Sequence, residues 1–146
     1  MKDKIILIKP KAWPKKFLNI EKDYIAITRP EDLDGFEYAT SLRPNQSIDF
    51  NRLDLACTDI TWEAWNYLLP LMERRYFENL PNEMEDFLIS FFYYLSVSNN
   101  LQNLLDFLDT EDLKNFKDWI LFILFSGDDP NSFVVEDELL SILEKL

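Results

Sequence analysis

From residue 62 onward the apolar side chains recur at three- and four-residue intervals in five consecutive stretches, 62–78, 83–98, 101–109, 111–126 and 133–146. That spacing gathers them on one face of a helix, whereas a strand would need them to alternate. Trp62, Trp65, Leu68 and Leu69 head the first stretch, and Thr61 is placed to cap it. Pro70 lies inside it, lacks an N–H and crowds the preceding turn, so it is expected to kink or split this helix. In the second stretch Met84, Phe87, Leu88, Phe91 and Leu95 form one stripe, while Ile89, Phe92 and Tyr93 make the opposite side apolar as well. A helix apolar on both sides belongs at the centre of the molecule. Asn99-Asn100 ends it, and Leu101, Leu104, Leu105 and Leu108 follow in a short amphipathic helix. Thr110 opens the next helix, which stops at Gly127; a turn at 128–132 leads to a last helix carrying Val135, Leu139, Ile142, Leu143 and Leu146.

The first third of the chain reads differently. Ile5-Ile6-Leu7-Ile8 and Tyr24-Ile25-Ala26-Ile27 are short β-branched runs ended by Pro10 and by Arg29-Pro30, and each predicts a strand. Pro10, Trp13 and Pro14 imply an irregular connection between them, with Trp13 at the surface. Pro30 followed by Glu31, Asp32 and Asp34 predicts a helix start, since carboxylates suit the positive end of the helix dipole. Residues 43–60 read as a loop with one helical turn near 53–56. The expected fold is a single α+β domain over 1–146, mostly α: a short N-terminal two-stranded element followed by a helical, bundle-like body.

Composition narrows the chemistry. The 146 residues include no histidine, one cysteine and two glycines. Histidine is the side chain that titrates nearest neutral pH, so the commonest general base and metal ligand is missing. Two glycines cannot build a glycine-rich phosphate loop. Zinc lacks its soft ligands, and neither Gly35 nor Asp128 aligns an EF-hand calcium loop, so no metal and no cofactor is expected. Carboxylates are the only candidate catalysts. Glu63, between Trp62 and Trp65, is the most suggestive of them, although a first-turn glutamate complementing the helix dipole explains it more simply. Cys57 reads as a small buried hydrophobe that forms no internal disulfide. No cationic leader or membrane-length apolar run is evident, and the expected location is cytoplasmic.

The formal charge is −12, and it is unevenly placed. Seven lysines against Asp3 and Glu21 leave residues 1–22 at +5, so the other 124 residues carry −17. The lysine-rich start is expected to be a solvated edge strand, the alternative being that it docks on the chain's own acidic body. Nucleic acid would be repelled by most of this surface, and a basic protein would be attracted. Two acidic clusters are candidate contacts for such a partner. Asp128, Asp129, Glu136, Asp137 and Glu138 span a turn and a helix start, and Glu31, Asp32 and Asp34 open another helix.

Ile60-Thr61-Trp62-Glu63-Ala64-Trp65-Asn66-Tyr67-Leu68-Leu69-Pro70 resembles a helix in a family of small uncharacterised bacterial proteins, where a Pro-Glu-Ala-Phe-like start runs into Tyr-Tyr-Leu-Pro. Phe107-Leu108-Asp109-Thr110-Glu111 is similar to the Leu-Thr-Pro-Glu turn before that family's final aromatic-rich helix. Here Thr-Trp-Glu stands in place of the family's usual proline, and Leu68-Leu69 in place of the second tyrosine and leucine. The resemblance implies a mostly helical fold and a bacterial source, and it assigns no activity. By class, a small acidic chain poor in catalytic groups is also similar to immunity proteins that neutralise nuclease toxins. The expected function is therefore that of an acidic protein-binding inhibitor occluding a basic toxin. The alternatives are a nucleic-acid-mimicking inhibitor of a defence nuclease and, from another class, a small carboxylate-dependent hydrolase.

Overall fold

The computed structural model describes residues 7–79, 85–125 and 135–146. Among them are eight α-helices: α1 Lys22–Thr28, α2 Leu33–Ser41, α3 Phe50–Leu53, α4 Trp62–Asn79, α5 Glu85–Ser96, α6 Asn100–Leu105, α7 Thr110–Phe125 and α8 Glu136–Glu144. Short 3-10 turns at Pro30–Asp32 and Asp54–Asp59 lead into α2 and α4. The described residues contain no strand, so the two-stranded element is corrected. An isolated antiparallel bridge joins Leu18 and Ile60.

Both expected strands fail for identifiable reasons. Ile5 and Ile6 lie outside the described residues, and Leu7 and Ile8 belong to no strand. Residues 24–27 are helical, within α1. Only Ile25 on that helix is buried, while Ile27 is 80% exposed. The Thr28 hydroxyl donates to the Tyr24 carbonyl at 2.6 Å, the back-bond a threonine makes in a helix. A four-residue β-branched run carries too little intrinsic preference to hold a strand with no neighbour to pair with.

The helical body follows the apolar spacing closely. Trp65, Leu68, Leu69 and Met72 of α4, Phe87, Phe91 and Leu95 of α5, and Phe116, Trp119 and Ile120 of α7 are all buried. Rings meet across these faces: Trp65 lies 4.9 Å from Phe91 and 5.4 Å from Phe87, and Trp119 lies 5.6 Å from Phe92. Helix α5 packs on α3, α6 and α8, in the central place its two apolar sides predict. Thr61 caps α4 as expected, its Oγ1 accepting from the Ala64 N–H at 3.0 Å. Pro70 does not split α4, which runs unbroken over Trp62–Asn79 with the proline inside and buried. Its flanking turns are locked into the core by Leu68, Leu69 and Met72, and that burial offsets the missing hydrogen bond. The helical turn expected at 53–56 begins slightly earlier, because Asp49 caps α3 by accepting from the Asn51 and Arg52 N–H groups.

Gly35 sits inside α2 because a neighbour comes too close for anything larger. A Cβ built there would stand 2.8 Å from the Leu55 Cβ. Gly35→Ala should therefore lower stability by about 1–2 kcal/mol. Overpacking of about 1–3 kcal/mol outweighs the ~1 kcal/mol that alanine gains in helix propensity. Thermal denaturation reads this directly, and a raised Tm would mean that the 54–59 turn yields without cost.

Candidate functional site

The lysine-rich start is not a solvated edge strand. Its described part, residues 7–19, is a strap laid over the body, held by its backbone as much as by its charges. The Ile8 N–H donates to Glu73 Oε1 at 2.7 Å, and the Lys15 N–H donates to Glu63 Oε1 at 2.6 Å. The Thr61 hydroxyl donates to the Lys16 carbonyl at 2.6 Å, and the Thr61 N–H to the Phe17 carbonyl at 2.9 Å. The Asn19 N–H donates to the Asp59 carbonyl at 2.7 Å. Lys9 pairs with Asp109 at 3.2 Å, and Lys11 pairs with Asp112. Trp13, expected at the surface, is half-buried edge-on against Tyr67 at 4.9 Å and packs on Phe17 at 5.9 Å. The strap docks because α4 and α7 present carboxylates to a segment that has backbone N–H groups and ammonium groups to offer.

Two of those carboxylates, Glu73 and Asp112, are fully buried. Burial pushes the Glu73 carboxyl from 4.5 up to about 7; the charge of Asp112 adds to the rise and the hydrogen bond from Ile8 opposes it. Glu73 Oε2 and Asp112 Oδ1 are shielded from solvent without hydrogen-bond partners. Sequence reasoning missed both residues, although a signal was present. Glu73 lies four residues after Leu69 and three before Tyr76, and Asp112 four before Phe116, so each interrupts an apolar stripe on its buried side. Neither lines any of the three cavities described below, and their contacts are to the strap. Glu63 is in the first turn of α4 as expected, where its acceptor oxygen is taken by Lys15.

The acidic candidates fall in different places. Asp128 and Asp129 lie outside the described residues. Glu136, Asp137 and Glu138 form the first turn of α8, with Glu136 and Asp137 exposed, and none of the ion pairs among the described residues includes them. Glu31 is exposed, but Asp32 stands 3.9 Å from Arg29 and Asp34 pairs with Arg52 at 3.3 Å, so the second cluster is partly neutralised. Helix α8 packs on α5 and α7, whereas the Pro30–Asp32 turn and α2 pack on α1, on α3 and on the Asp54–Asp59 turn. The fold does not merge the two clusters into one patch.

Three cavities differ in character. One of about 310 Å³ is lined by Ser47, Ile48, Tyr67, Arg74, Arg75 and Glu78, and Arg75 also lies 5.6 Å over the Phe50 ring. A second, small and closed, lies between Ile25, Phe36 and Ala56. The third, about 520 Å³, opens between the Asp54–Asp59 turn and α5. Asp54, Leu55, Thr58, Ser90, Tyr93 and Val97 form its walls, and the Cys57 thiol lies beneath. Tyr93 is 56% exposed, Leu55 49% and Val97 37%. The spacing of its apolar neighbours predicts Tyr93 on a buried side of α5, and the structure instead turns it to solvent. One wall is stiffened by Tyr94, which stacks on Trp62 at 5.4 Å and points its hydroxyl at the Thr58 carbonyl, 3.4 Å away. Cys57 is buried as expected. Its thiol is pushed up to about 12 by burial and then by the charges of Asp54 and Asp59, so it is not a nucleophile at neutral pH.

No three side chains of the metal-ligating types converge among the described residues, and no described helix is long and apolar enough to cross a membrane. Comparison with protein-family models, with curated protein sequences and with solved structures found no match to this chain.

Proposed function

We propose that this chain is a non-catalytic, acidic protein-binding inhibitor of the immunity class, which occludes the basic active site of a nuclease-type toxin. The observation that carries the reading is the fate of the cations. Lys9, Lys11, Lys22, Arg29, Arg52 and Lys114 are each paired with a carboxylate of the same chain. Those six cations, of fifteen in the chain, are engaged by its own acids and offer correspondingly less to a phosphate backbone. Exposed carboxylates such as Glu31, Glu136 and Asp137 remain available to steer a cationic partner into contact. The two fully buried carboxylates are occupied in holding the strap, which weighs against the hydrolase alternative.

The test is surface plasmon resonance against the product of the gene next to this one, in low and high salt. Steered association can reach ~10⁸–10⁹ M⁻¹s⁻¹ at low salt and should slow markedly as salt rises, since charges beyond a Debye length of ~8 Å are screened at physiological ionic strength. Combined Glu31→Lys, Glu136→Lys and Asp137→Lys should slow association by about tenfold or more; all three residues are exposed, so the fold should be kept and the melting temperature lowered only by the lost first-turn carboxylates, about 0.3–1 kcal/mol each. Salt-independent binding that survives the triple reversal would remove charge from the interface, and failure to bind that product or any basic protein would end the immunity reading.

A further inference from the structure

We infer that the groove between the Asp54–Asp59 turn and α5 is the docking site for a segment of a basic protein partner, one that inserts an aliphatic or aromatic side chain beside Leu55, Tyr93 and Val97 and sets a lysine or arginine against Asp54. This rests on the proposed function in one respect only, that the partner is cationic. Three large apolar side chains standing half in solvent around one opening are more than the scattered exposure of an ordinary surface, and a polar rim around such a patch marks a contact site.

Charge selects the occupant. Among the described residues no lysine or arginine lines the groove, and Asp54 Oδ1 is shielded from solvent yet accepts no hydrogen bond. One turn before Ser90 on α5, Asp86 is exposed on the same helical face as Ser90, Tyr93 and Val97. The two acidic clusters stay separate, each on an element that packs behind one wall of the groove. The Asp54–Asp59 turn packs on α2, which carries Asp34 just after Glu31 and Asp32, and α5 packs on α8, which opens with Glu136, Asp137 and Glu138. With Asp54 on the turn and Asp86 on α5, a partner seated here would meet a carboxylate from each wall beside an apolar centre, the layout of an interface with a hydrophobic core and a charged rim. A second copy of this chain is disfavoured, because two surfaces from chains of −12 would be brought together with no cation between Asp54 and its counterpart.

Short random peptides displayed on phage, panned on the full chain, make the test independent of any named toxin. Enriched sequences should place an aromatic or branched aliphatic residue beside lysine or arginine. Synthetic copies should bind the wild-type chain at least about tenfold more tightly than the Leu55→Lys/Val97→Lys variant. Both positions are substantially exposed, so this variant should fold; if its circular dichroism shows otherwise, Tyr93→Ala gives the same comparison. Absence of enrichment, enrichment of acidic or purely polar sequences, or equal binding to wild type and variant would each overturn the inference. So would a dimer seen by light scattering that Leu55→Lys/Val97→Lys abolishes, since a second copy would then be the occupant. Failure of the adjacent gene product to bind bears on the immunity reading alone, whereas peptide selection bears on the groove.

Discussion

Replacing Lys11 with methionine should cost about 3–5 kcal/mol of stability, the loss seen when one member of a buried ion pair is removed and the other charge stays behind. Asp112 is wholly buried, and the Lys11 side chain facing it is only 16% exposed, so solvent screens the pair weakly. Methionine preserves the packing of the stem and removes the ammonium group alone. The remaining carboxylate keeps one oxygen without a partner and loses the cation on the other. Adding Asp112→Asn to Lys11→Met should recover most of the loss, because the buried charge is then gone. The neighbouring hydrogen bond, from the Asp112 backbone N–H to Asp109 Oδ1 at 2.8 Å, does not depend on that side chain. A double-mutant cycle by urea denaturation measures the coupling. A loss below about 0.5 kcal/mol, in the range of exposed pairs, would mean that the strap's charges do not hold it down.

Glu73→Gln should flatten the dependence of stability on pH between about 4.5 and about 7, and should stabilise the protein above that window. The folded protein keeps a proton on Glu73 up to about pH 7, whereas the unfolded chain releases it near 4.5. Within the window the native state binds more protons, so stability falls as pH rises. The contribution is fully present below about 4.5 and lost as pH passes the folded value. At ~1.4 kcal/mol per pKa unit, the full swing is on the order of 3 kcal/mol. No histidine titrates in that range to mask it. Asp109, whose carboxyl is held below its ordinary 3.8 by the Asp112 N–H and by Lys9, acts only at lower pH and with the opposite sign. Glutamine still offers an oxygen to the Ile8 N–H, so the strap stays anchored. The check is urea unfolding at pH 5 and pH 8. A wild-type protein equally stable at both, or a glutamine variant weaker at pH 8, would show that Glu73 is ionised in the fold.

Much of the candidate groove was hidden in the sequence because its parts come from elements with contrary signals. Tyr93 follows Phe91 and Phe92 in a run that looks uniformly apolar, yet a helix turns each successive residue by a quarter circle or more, and Tyr93 is carried out to solvent. Leu55 lies in a stretch predicted as loop, and its exposure follows from how the Asp54–Asp59 turn is pinned by Gly35 on one side and α5 on the other. The buried carboxylates were legible in principle as interruptions of two apolar stripes. Their partners, in a strap roughly a hundred residues away from Asp112 in the chain, were not.

By itself the sequence determined the helical body. Apolar residues three and four apart have only one way to share a face, and Thr61 marks a boundary through a hydrogen bond made within a few residues; the break expected at Asn99-Asn100 falls slightly earlier, α5 ending at Ser96 and α6 starting at Asn100. Local chemistry of that kind needs no knowledge of the rest of the molecule. Tertiary structure alone decided the first third. Residues 24–27 became helix because burying Ile25 against the body outweighed a weak β preference, and α4 ran through Pro70 because the core held both flanking turns. Lys11 left solvent because α7 brought Asp112 beneath it. Each of those outcomes depends on contacts between distant segments, and the energy of such contacts is set only once the chain has closed on itself.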